Sequence, residues 1–298
     1  MNLWNQIATR ISDATGTPFR LRGTHSVGGG CINATEVLEG DDRRYFVKLN
    51  DAAQLDMFEA EAAGLQEIVD SGVIRAPRPV VSGSASGQAY LVLEYLDLGG
   101  RGDSQSDAEL GRRLAAMHRC IRPQYGWWRD NTIGSTPQIN TEERDWIAFF
   151  REHRLRYQLE LAATHGNTRL LRTGEKLLEA LPALFSGYAP PASLLHGDLW
   201  GGNHSQLRDG TPVIFDPAVY YGDREADIAM TELFGGFSSS FYAAYNEAWP
   251  LDAGYRVRRE LYNLYHVLNH FNLFGGGYAS QAEGMIGRLV SEVGEGSS

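Results

Sequence analysis

The chain has 298 residues, of which 43% are hydrophobic and 21% are charged, a composition typical of a globular protein rather than of a disordered or collagen-like chain. The 27 Lys and Arg residues against 37 Asp and Glu give a formal net charge of −10. This charge, without a lysine-rich run, excludes a typical nucleic-acid or anionic-membrane surface, so we expect neither partner. At roughly 150 residues per domain the length predicts two lobes, which can enclose a cleft.

The low cysteine content and the lack of a long apolar run predict the cellular compartment of the protein. Only Cys31 and Cys120 occur, the chain opens without the features of a signal peptide, and no run of 18 apolar residues is present. We therefore predict a cytoplasmic protein with reduced thiols. The oligomeric state is left open between a monomer and a homodimer, since an exposed loop cysteine would permit a disulfide-linked pair.

The first third of the chain has the pattern of a small β-rich lobe. An amphipathic helix is predicted over residues 2–14, and a second helix over residues 54–69. Alternating and continuously apolar segments predict strands over residues 19–26, 34–38, 44–49, 80–81 and 89–96. A glycine-rich segment at residues 99–102 marks the boundary, so the lobes are predicted as residues 1–96 and 97–298.

The second lobe is predicted to be larger and mostly helical. Helices are expected over residues 107–120 and 169–181, with Pro182 closing the second of these, and two or three more over residues 225–275. Asn140 and Glu143 have the spacing of a capping box that opens another long helix. The predicted fold class is therefore α+β, with a β-rich first lobe and a helical second lobe.

Three polar residues form the most informative pattern in the chain. Asn203 follows Asp198 by five residues, and Asp216 comes after an intervening apolar strand. Phosphoryl transfer from a nucleotide needs a carboxylate that accepts the proton of the attacking hydroxyl, and an amide oxygen and second carboxylate that hold Mg²⁺. We predict Asp198 as the base and Asn203 and Asp216 as metal ligands. The alternative, polar loop residues that cap a hairpin, does not account for the joint spacing.

The stretches around these residues resemble the fructosamine-3-kinase family of protein-kinase-like phosphotransferases. The resemblance covers about residues 7–290 and is carried by residues 28–33, 45–50, 57–61, 137–140, 194–200 and 234–237. It implies a protein-kinase-like fold in which the first lobe binds ATP and the second carries catalytic and substrate residues.

A lysine and a glutamate are predicted to hold the nucleotide phosphates. Lys48 ends an apolar strand, where its ammonium can reach the phosphates if an acid on the next helix fixes it. Glu59 and Glu61 lie on different faces of that helix, and the resemblance implies Glu61 as the partner.

Backbone groups complete the predicted nucleotide site. A glycine loop can expose its N–H groups to phosphate oxygens because no side chain intervenes; its members are Gly28, Gly29 and Gly30. The segment that joins the lobes is implied by the resemblance to contact the adenine, through Glu94, Tyr95 and Leu96.

Three further residues carry alternative interpretations. Asp227 either braces the catalytic loop or caps a helix. His196 is expected to make structural hydrogen bonds rather than to transfer protons. Cys31 is a structural thiol or, as some members of the family suggest, a redox switch.

The acceptor side is predicted from aromatic and amide residues. Trp200 lies two residues after Asp198, where its indole face can pack against a sugar ring. Trp127, Trp128 and the loop at residues 131–138 resemble the acceptor-side insertion of the family, so Asn131 and Gln138 are predicted to contact the substrate.

The resemblance implies transfer of the ATP γ-phosphate to the 3-hydroxyl of a ketosamine, free or protein-bound, in deglycation. Fructosamine, ribulosamine and erythrulosamine all remain open as the sugar adduct. Two alternatives are a kinase for an aminoglycoside, choline or another amino-alcohol, and an inactive nucleotide-binding pseudokinase.

Overall fold

The computed structural model describes residues 2–28, 33–100, 102–235 and 237–295. The predictions for Gly29, Gly30 and Cys31 lie outside the described residues. No described helix is long and apolar enough to span a lipid bilayer.

In the described part of the chain, the first lobe contains an antiparallel sheet of five strands. Its spatial order is β1-β2-β3-β5-β4, and the strands are β1 (Gly23–Ser26), β2 (Ala34–Glu39), β3 (Arg44–Asp51), β4 (Pro79–Ala85) and β5 (Gln88–Glu94). The apolar run in β5 is explained by its place between β3 and β4, where Ala89 to Leu93 are all buried.

Two helices cover opposite faces of this sheet. Helix α1 (Leu3–Thr15) begins at Asn2, whose side chain accepts a hydrogen bond from the backbone N–H of Asn5 at 2.9 Å, and it ends at Gly16 with a φ of 64°. Its buried face packs with Val47 and Val92 in a separate apolar cluster. Helix α2 (Leu55–Ser71), which follows a 3₁₀ turn, instead joins the apolar core of the second lobe.

The second lobe is mainly helical. Its helices are α3 (Ser104–His118), α4 (Trp146–Phe150), α5 (Tyr157–Thr164), α6 (Thr168–Leu184), α7 (Glu225–Leu233), α8 (Ser239–Ala248), α9 (Tyr255–Phe274) and α10 (Tyr278–Glu295). A π-helical turn (Arg151–Arg156) connects α4 to α5. The predicted lobe boundary at residues 96 and 97 falls between β5 and the first strand that pairs with the second lobe.

Short strands support the polar segments of this lobe. The strands are β6 (Leu98–Gly100), β7 (Ile121–Arg122), β8 (Asn131–Ile133), β9 (Thr136–Gln138), β10 (Ala192–Leu195), β11 (His204–Leu207), β12 (Pro212–Ile214) and β13 (Tyr220–Gly222). Strand β10 leads directly into the segment that contains Asp198, and β12 leads into the segment that contains Asp216. Both segments are thus fixed by buried strands.

The predicted capping box at Asn140 is wrong. The helix begins at Trp146, and the Asp145 side chain accepts a hydrogen bond from the backbone N–H of Ala148 at 2.6 Å. Asn140 is fully buried, and its side chain bonds to Arg154 and Asn131 instead of to a helix end.

Pro182 also differs from its prediction, because it lies inside α6 rather than after it. A proline has no N–H to give to the carbonyl four residues earlier. That carbonyl, on Leu178, accepts a hydrogen bond from Nε of Arg151 at 3.1 Å. A tertiary contact therefore replaces the missing helical bond.

Helices α3 and α8 approach each other closely at Gly111. A Cβ atom on Gly111 would lie 2.4 Å from the carbonyl oxygen of Phe241 and 3.1 Å from the backbone nitrogen of Tyr245. Both are backbone atoms, so a larger residue could be accommodated only by moving a helix.

We expect Gly111→Ala to lower the free energy of unfolding by about 1–3 kcal/mol, the usual cost of overpacking a core. The measurement is urea denaturation followed by circular dichroism. Gly287→Ala in α10 is the control, because a Cβ there meets nothing within 4 Å and alanine favours a helix by up to about 1 kcal/mol. Equal stability of the two variants would contradict the close approach of α3 and α8.

Candidate active site

Lys48 lies between two carboxylates that come from different lobes. Its ammonium donates hydrogen bonds to Oε1 of Glu61 at 2.5 Å and to Oδ1 of Asp216 at 2.7 Å. Burial opposes the positive charge, but the adjacent Asp216 and Glu61 carboxylates outweigh burial and raise the pKa of Lys48 above its ordinary value. The lysine is therefore held as a cation.

The alternation of β3 explains how the lysine reaches this position. Tyr45, Val47 and Leu49 pack in the cluster with α1, whereas Phe46 packs against the core on the opposite face of the sheet. Lys48 shares that second face because alternate side chains in a strand point the same way, and it is directed toward α2 and the second lobe. On α2, Glu61 is the glutamate that meets it.

Asp198, Asn203 and Asp216 lie together as the sequence spacing suggested. The Asn203 amide nitrogen donates to the backbone oxygen of Asp198 at 2.9 Å, and more weakly to its Oδ2 atom and to the backbone oxygen of Asp216, both at 3.4 Å. Because the amide nitrogen faces the protein, the amide oxygen is the atom available to a ligand. Burial, followed by the charges of Asp216 and Asp227, raises the pKa of the Asp198 carboxyl well above its ordinary value.

Asp216 has an unusual backbone conformation. Its φ of 57° lies in the left-handed region, which aspartate adopts more readily than most residues. Such conformations persist where the surrounding structure enforces them and are common at functional sites. The conformation accompanies the contact between the Asp216 side chain and Lys48.

These residues suit a magnesium ion that also binds phosphate. The Asp216 carboxylate and the Asn203 amide oxygen are hard oxygen donors of the type Mg²⁺ prefers. Among the described residues, no group of three or more His, Cys, Asp and Glu side chains could hold a metal. Two such donors leave room for phosphate and water oxygens in the octahedral shell that Mg²⁺ prefers.

Asp227 holds the backbone that leads to Asp198. Its carboxylate accepts hydrogen bonds from the N–H groups of His196 at 2.7 Å and Gly197 at 2.8 Å, and contacts Nε2 of His118 at 3.1 Å. Burial opposes its charge, but the bonds from His118 and the loop outweigh burial, so the pKa of Asp227 lies below its ordinary value. The other ring nitrogen of His118 bonds to the Tyr245 hydroxyl at 2.7 Å. These bonds go to the loop and not to the end of α7, which supports the bracing alternative over the capping one, and the bracing role stays a prediction.

Gly197 is required by the close approach of two backbone segments. Its φ is 82°, and a Cβ atom would lie 2.0 Å from the carbonyl oxygen of Ala218. Beside it, the His196 ring bonds through Nε2 to the carbonyl oxygen of Phe215 at 3.0 Å. His196 thereby links the segment of Asp198 to that of Asp216, in keeping with the structural bonding expected of it.

The segment between the lobes begins with a glutamate whose side chain is already engaged. The Glu94 carboxylate pairs with Arg75 and accepts a bond from the backbone N–H of Arg78 at 3.2 Å. The Tyr95 ring lies 4.1 Å from the guanidinium of Arg44. Any nucleotide contact at residues 94–96 is therefore assigned to the backbone, and it stays a prediction.

The predicted acceptor residues are placed in two different environments. Trp200 is 42% exposed beside Asp198, whereas Gln138 is only 1% exposed. The Asn131 side chain donates to the carbonyl oxygen of Val219 at 2.8 Å, and that of Gln138 donates to Ala218 at 3.1 Å. The substrate contact proposed for Asn131 and Gln138 stays a prediction, but both lie beneath the segment that follows Asp216.

Sequence reasoning missed the residues that attach α2 to the second lobe. The Glu67 carboxylate on α2 accepts bonds from the Tyr221 hydroxyl and from Arg122, both at 2.7 Å. The buried Trp127, which the sequence analysis assigns to the acceptor side, donates from its indole to the same side chain at 3.4 Å. His118 was missed as well. All these partners are more than 50 residues apart in the chain, so no local pattern connects them.

Comparison with known proteins gives consistent matches over nearly the whole chain. A profile of the fructosamine kinase family matches residues 3–292. A probable ketoamine kinase of Synechocystis is 49% identical over 284 residues, which are 95% of each chain. A chloroplastic protein-ribulosamine 3-kinase of Arabidopsis thaliana is 46% identical over 265 residues, covering 88% of this chain and 80% of the relative.

A solved structure also matches. The crystal structure of a presumed fructosamine-3-kinase from Haemophilus somnus gives a TM-score of 0.87 at 28% identity, over 96% of this chain and 97% of that chain. The likeness confirms the α+β, protein-kinase-like fold that the sequence analysis predicts.

The buried His118 predicts a pH-dependent stability. Burial lowers the pKa of His118 below its ordinary value, so on acidification the unfolded chain takes up this proton before the folded protein does. Stability from His118 is therefore intact above about pH 6.5 and is lost as the pH falls below that value.

We expect the stability advantage of the wild type over His118→Gln to shrink by up to about 1.4 kcal/mol per pH unit below about pH 6.5. Urea denaturation of both proteins between about pH 7.5 and 5.5 measures this difference. A difference that stays constant over that range would show that His118 has the same pKa in the folded and unfolded states, and a difference that grows on acidification would show that the folded protein holds His118 charged.

Proposed function

This chain belongs to the fructosamine kinase family, and we propose that it transfers the γ-phosphate of ATP to the 3-hydroxyl of a ketosamine. The product would be a ketosamine 3-phosphate, which is more labile than its precursor, so the reaction serves deglycation. The relatives named above are described as ketoamine and ribulosamine kinases, which supports a ketosamine acceptor over an aminoglycoside or choline.

One observation carries the proposal. Lys48, fixed by Glu61, reaches the Asp216 carboxylate, and Asn203 joins the segments of Asp198 and Asp216. A pseudokinase typically lacks one of these groups. The complete set supports catalysis rather than nucleotide binding alone.

The proposed base is Asp198. Its carboxylate is set to accept the proton of the acceptor hydroxyl as that oxygen attacks the γ-phosphorus atom, while the bond from this phosphorus to the oxygen of the β-phosphate breaks and ADP leaves. Burial and the neighbouring carboxylates raise its pKa, which makes it a stronger proton acceptor than an ordinary aspartate. It must be ionised to act, so its surroundings have to supply positive charge in the working complex.

That positive charge is assigned to Lys48 and to a magnesium ion. Asn203 and Asp216 would hold Mg²⁺, which when bound offsets the negative charge of the phosphates. The Lys48 ammonium would bind the α- and β-phosphate oxygens. Glu61 keeps it oriented without a water-filled gap, since both side chains are largely buried.

The remaining nucleotide contacts are proposed from position. Gly28 would offer its backbone N–H to the phosphates, and the backbone at Glu94, Tyr95 and Leu96 would bind the adenine. The contacts expected of Gly29 and Gly30 stay predictions of the sequence, since both lie outside the described residues. The cytoplasmic location, the choice between monomer and homodimer, and a redox role for Cys31 stay predictions. The Arabidopsis relative is described as chloroplastic.

The decisive test is ATP- and Mg²⁺-dependent phosphorylation of fructosyl-, ribulosyl- and erythrulosyl-lysine beside an aminoglycoside and choline. We expect turnover on a ketosamine, and a loss of about 10²- to 10⁴-fold in Asp198→Asn, the range for removal of a general base. Asp13→Asn, an exposed aspartate on α1, is the matched control and should retain full activity.

Other outcomes would redirect the proposal. Turnover confined to the aminoglycoside or choline would keep the kinase and reject deglycation. ATP binding without transfer to any acceptor would identify a pseudokinase. Undiminished turnover in Asp198→Asn would remove this residue as the base.

Trp200 gives a separate prediction about acceptor binding. Its exposed indole beside Asp198 would pack on the sugar, so we expect Trp200→Ala to raise the KM for the ketosamine by about tenfold, corresponding to about 1.4 kcal/mol. The KM for ATP should stay within about twofold of the wild type. Steady-state kinetics with each substrate varied in turn measure both values, and an unchanged ketosamine KM would place the acceptor elsewhere.

A further inference from the structure

A connected set of buried polar side chains lies beneath the segment that follows Asp216. The Asn131 Oδ1 atom accepts hydrogen bonds from the amide of Gln138 at 2.8 Å and from the amide of Asn140 at 2.9 Å. The Gln138 Oε1 atom in turn accepts one from the Tyr265 hydroxyl at 2.8 Å. These bonds fix which way each amide group points, because every acceptor oxygen already faces a donor.

Two amide nitrogens of this cluster donate hydrogen bonds to adjacent backbone carbonyl groups. Asn131 donates to Val219 O at 2.8 Å and Gln138 donates to Ala218 O at 3.1 Å. The N–H of Ala218 donates to the carbonyl oxygen of His196 at 2.8 Å. The cluster thus supports the backbone just after Asp216, at the point where it is bonded to the segment leading to Asp198.

The far end of the cluster is anchored by a buried arginine. Arg154 is fully buried in the π-helical turn, and the hydrogen bonds that its guanidinium donates within the described residues go to neutral oxygen atoms. Its guanidinium donates to the Asn140 Oδ1 atom at 2.8 Å and to the backbone oxygen of Ile139 at 2.5 Å. The Tyr220 ring lies 4.1 Å from the guanidinium, which favours the cation through its π electrons.

A buried cation with neutral partners is costly unless its donors are well placed. Here carbonyl, amide and aromatic contacts stabilise the cation, although its Nε atom has no hydrogen-bond partner among the described residues. The cluster is therefore a buried support rather than a binding surface. A solvent-facing acceptor contact would need a free donor or acceptor. In Gln138 the amide nitrogen donates twice within the protein, and the amide oxygen accepts from Tyr265.

We infer that Asn131, Gln138 and Asn140, anchored by Arg154, are positioning residues that set Asp216 for the metal ion, rather than contacts of the sugar acceptor. The inference rests on the proposed function, because it assumes that Asp216 binds the metal of a nucleotide complex. The segment at residues 131–140 thus supports the binding of the metal and nucleotide phosphates, not of the sugar.

The test compares Gln138→Met with the wild type, since methionine keeps the length of the side chain and removes its hydrogen bonds. Mn²⁺ binding to the ADP complex, followed by electron paramagnetic resonance, reports the metal site without any acceptor. We expect the Mn²⁺ affinity to fall by about tenfold or more, the usual effect of removing a residue that orients a metal ligand. Gln281→Met, at an exposed position in α10, should bind Mn²⁺ like the wild type.

Steady-state kinetics give the second readout. We expect kcat to fall by about tenfold or more in Gln138→Met, in parallel with the metal affinity, while the KM for the ketosamine stays within about twofold of the wild type. A raised ketosamine KM with unchanged Mn²⁺ affinity would identify an acceptor contact and overturn the inference. Unchanged Mn²⁺ affinity and unchanged kinetics would overturn it as well.

A milder variant keeps the test decisive if Gln138→Met does not fold. Tyr265→Phe removes a single hydroxyl, the donor to Gln138 Oε1, and is expected to weaken Mn²⁺ binding in the same direction by a smaller factor. If Tyr265→Phe folds and binds Mn²⁺ as tightly as the wild type, the amide cluster does not position the metal site.

The metal measurement also separates this inference from the proposed function. A wild-type protein that binds Mn²⁺ with ADP but phosphorylates no ketosamine would refute the proposed acceptor and leave the role of the cluster measurable. A wild-type protein that binds no Mn²⁺ in the presence of ADP would refute the inference itself.

Discussion

The two lobes are arranged around the ion pairs that the Lys48 ammonium forms with Glu61 and Asp216. A buried ammonium is stable only where carboxylates meet it closely, and here one comes from α2 and the other from the segment after β12. Because neither lobe provides both partners, the contact defines the relative position of the sheet, α2 and the catalytic segments. The cleft is formed where these three parts meet.

Helix α2 is held in this position by contacts with the second lobe. Gly64 lets the helix approach Val219 so closely that a Cβ atom would lie 3.2 Å from that side chain. Glu67 adds bonds to Tyr221 and Arg122. The core on this side of the sheet is continuous with that of the second lobe, which holds α2 with Glu61 against Lys48.

The segments of Asp198 and Asp216 are also tied to each other through their backbones. The backbone N–H of Ala218 donates to the carbonyl oxygen of His196 and so joins the two segments, and Gly197 permits their close approach. Asp227 holds one segment from α7, and the amide cluster supports the other from below. The carboxylates of Asp198 and Asp216 repel each other. The backbone contacts described here hold the two segments together against that repulsion.

The sequence by itself determined the elements and the reactive groups. Apolar periodicity placed α1, α2 and the central strands within a few residues of their observed ends, and the spacing of Asp198, Asn203 and Asp216 indicated phosphoryl transfer, because these signals are local. The tertiary structure decided what local signals cannot contain. It made Asp145 rather than Asn140 the helix cap, kept Pro182 inside a helix through Arg151, and brought His118 to Asp227 across 109 residues. It also buried Asn131 and Gln138. The sequence could not show this burial, because an amide side chain bonds to whichever partners the folded chain places beside it.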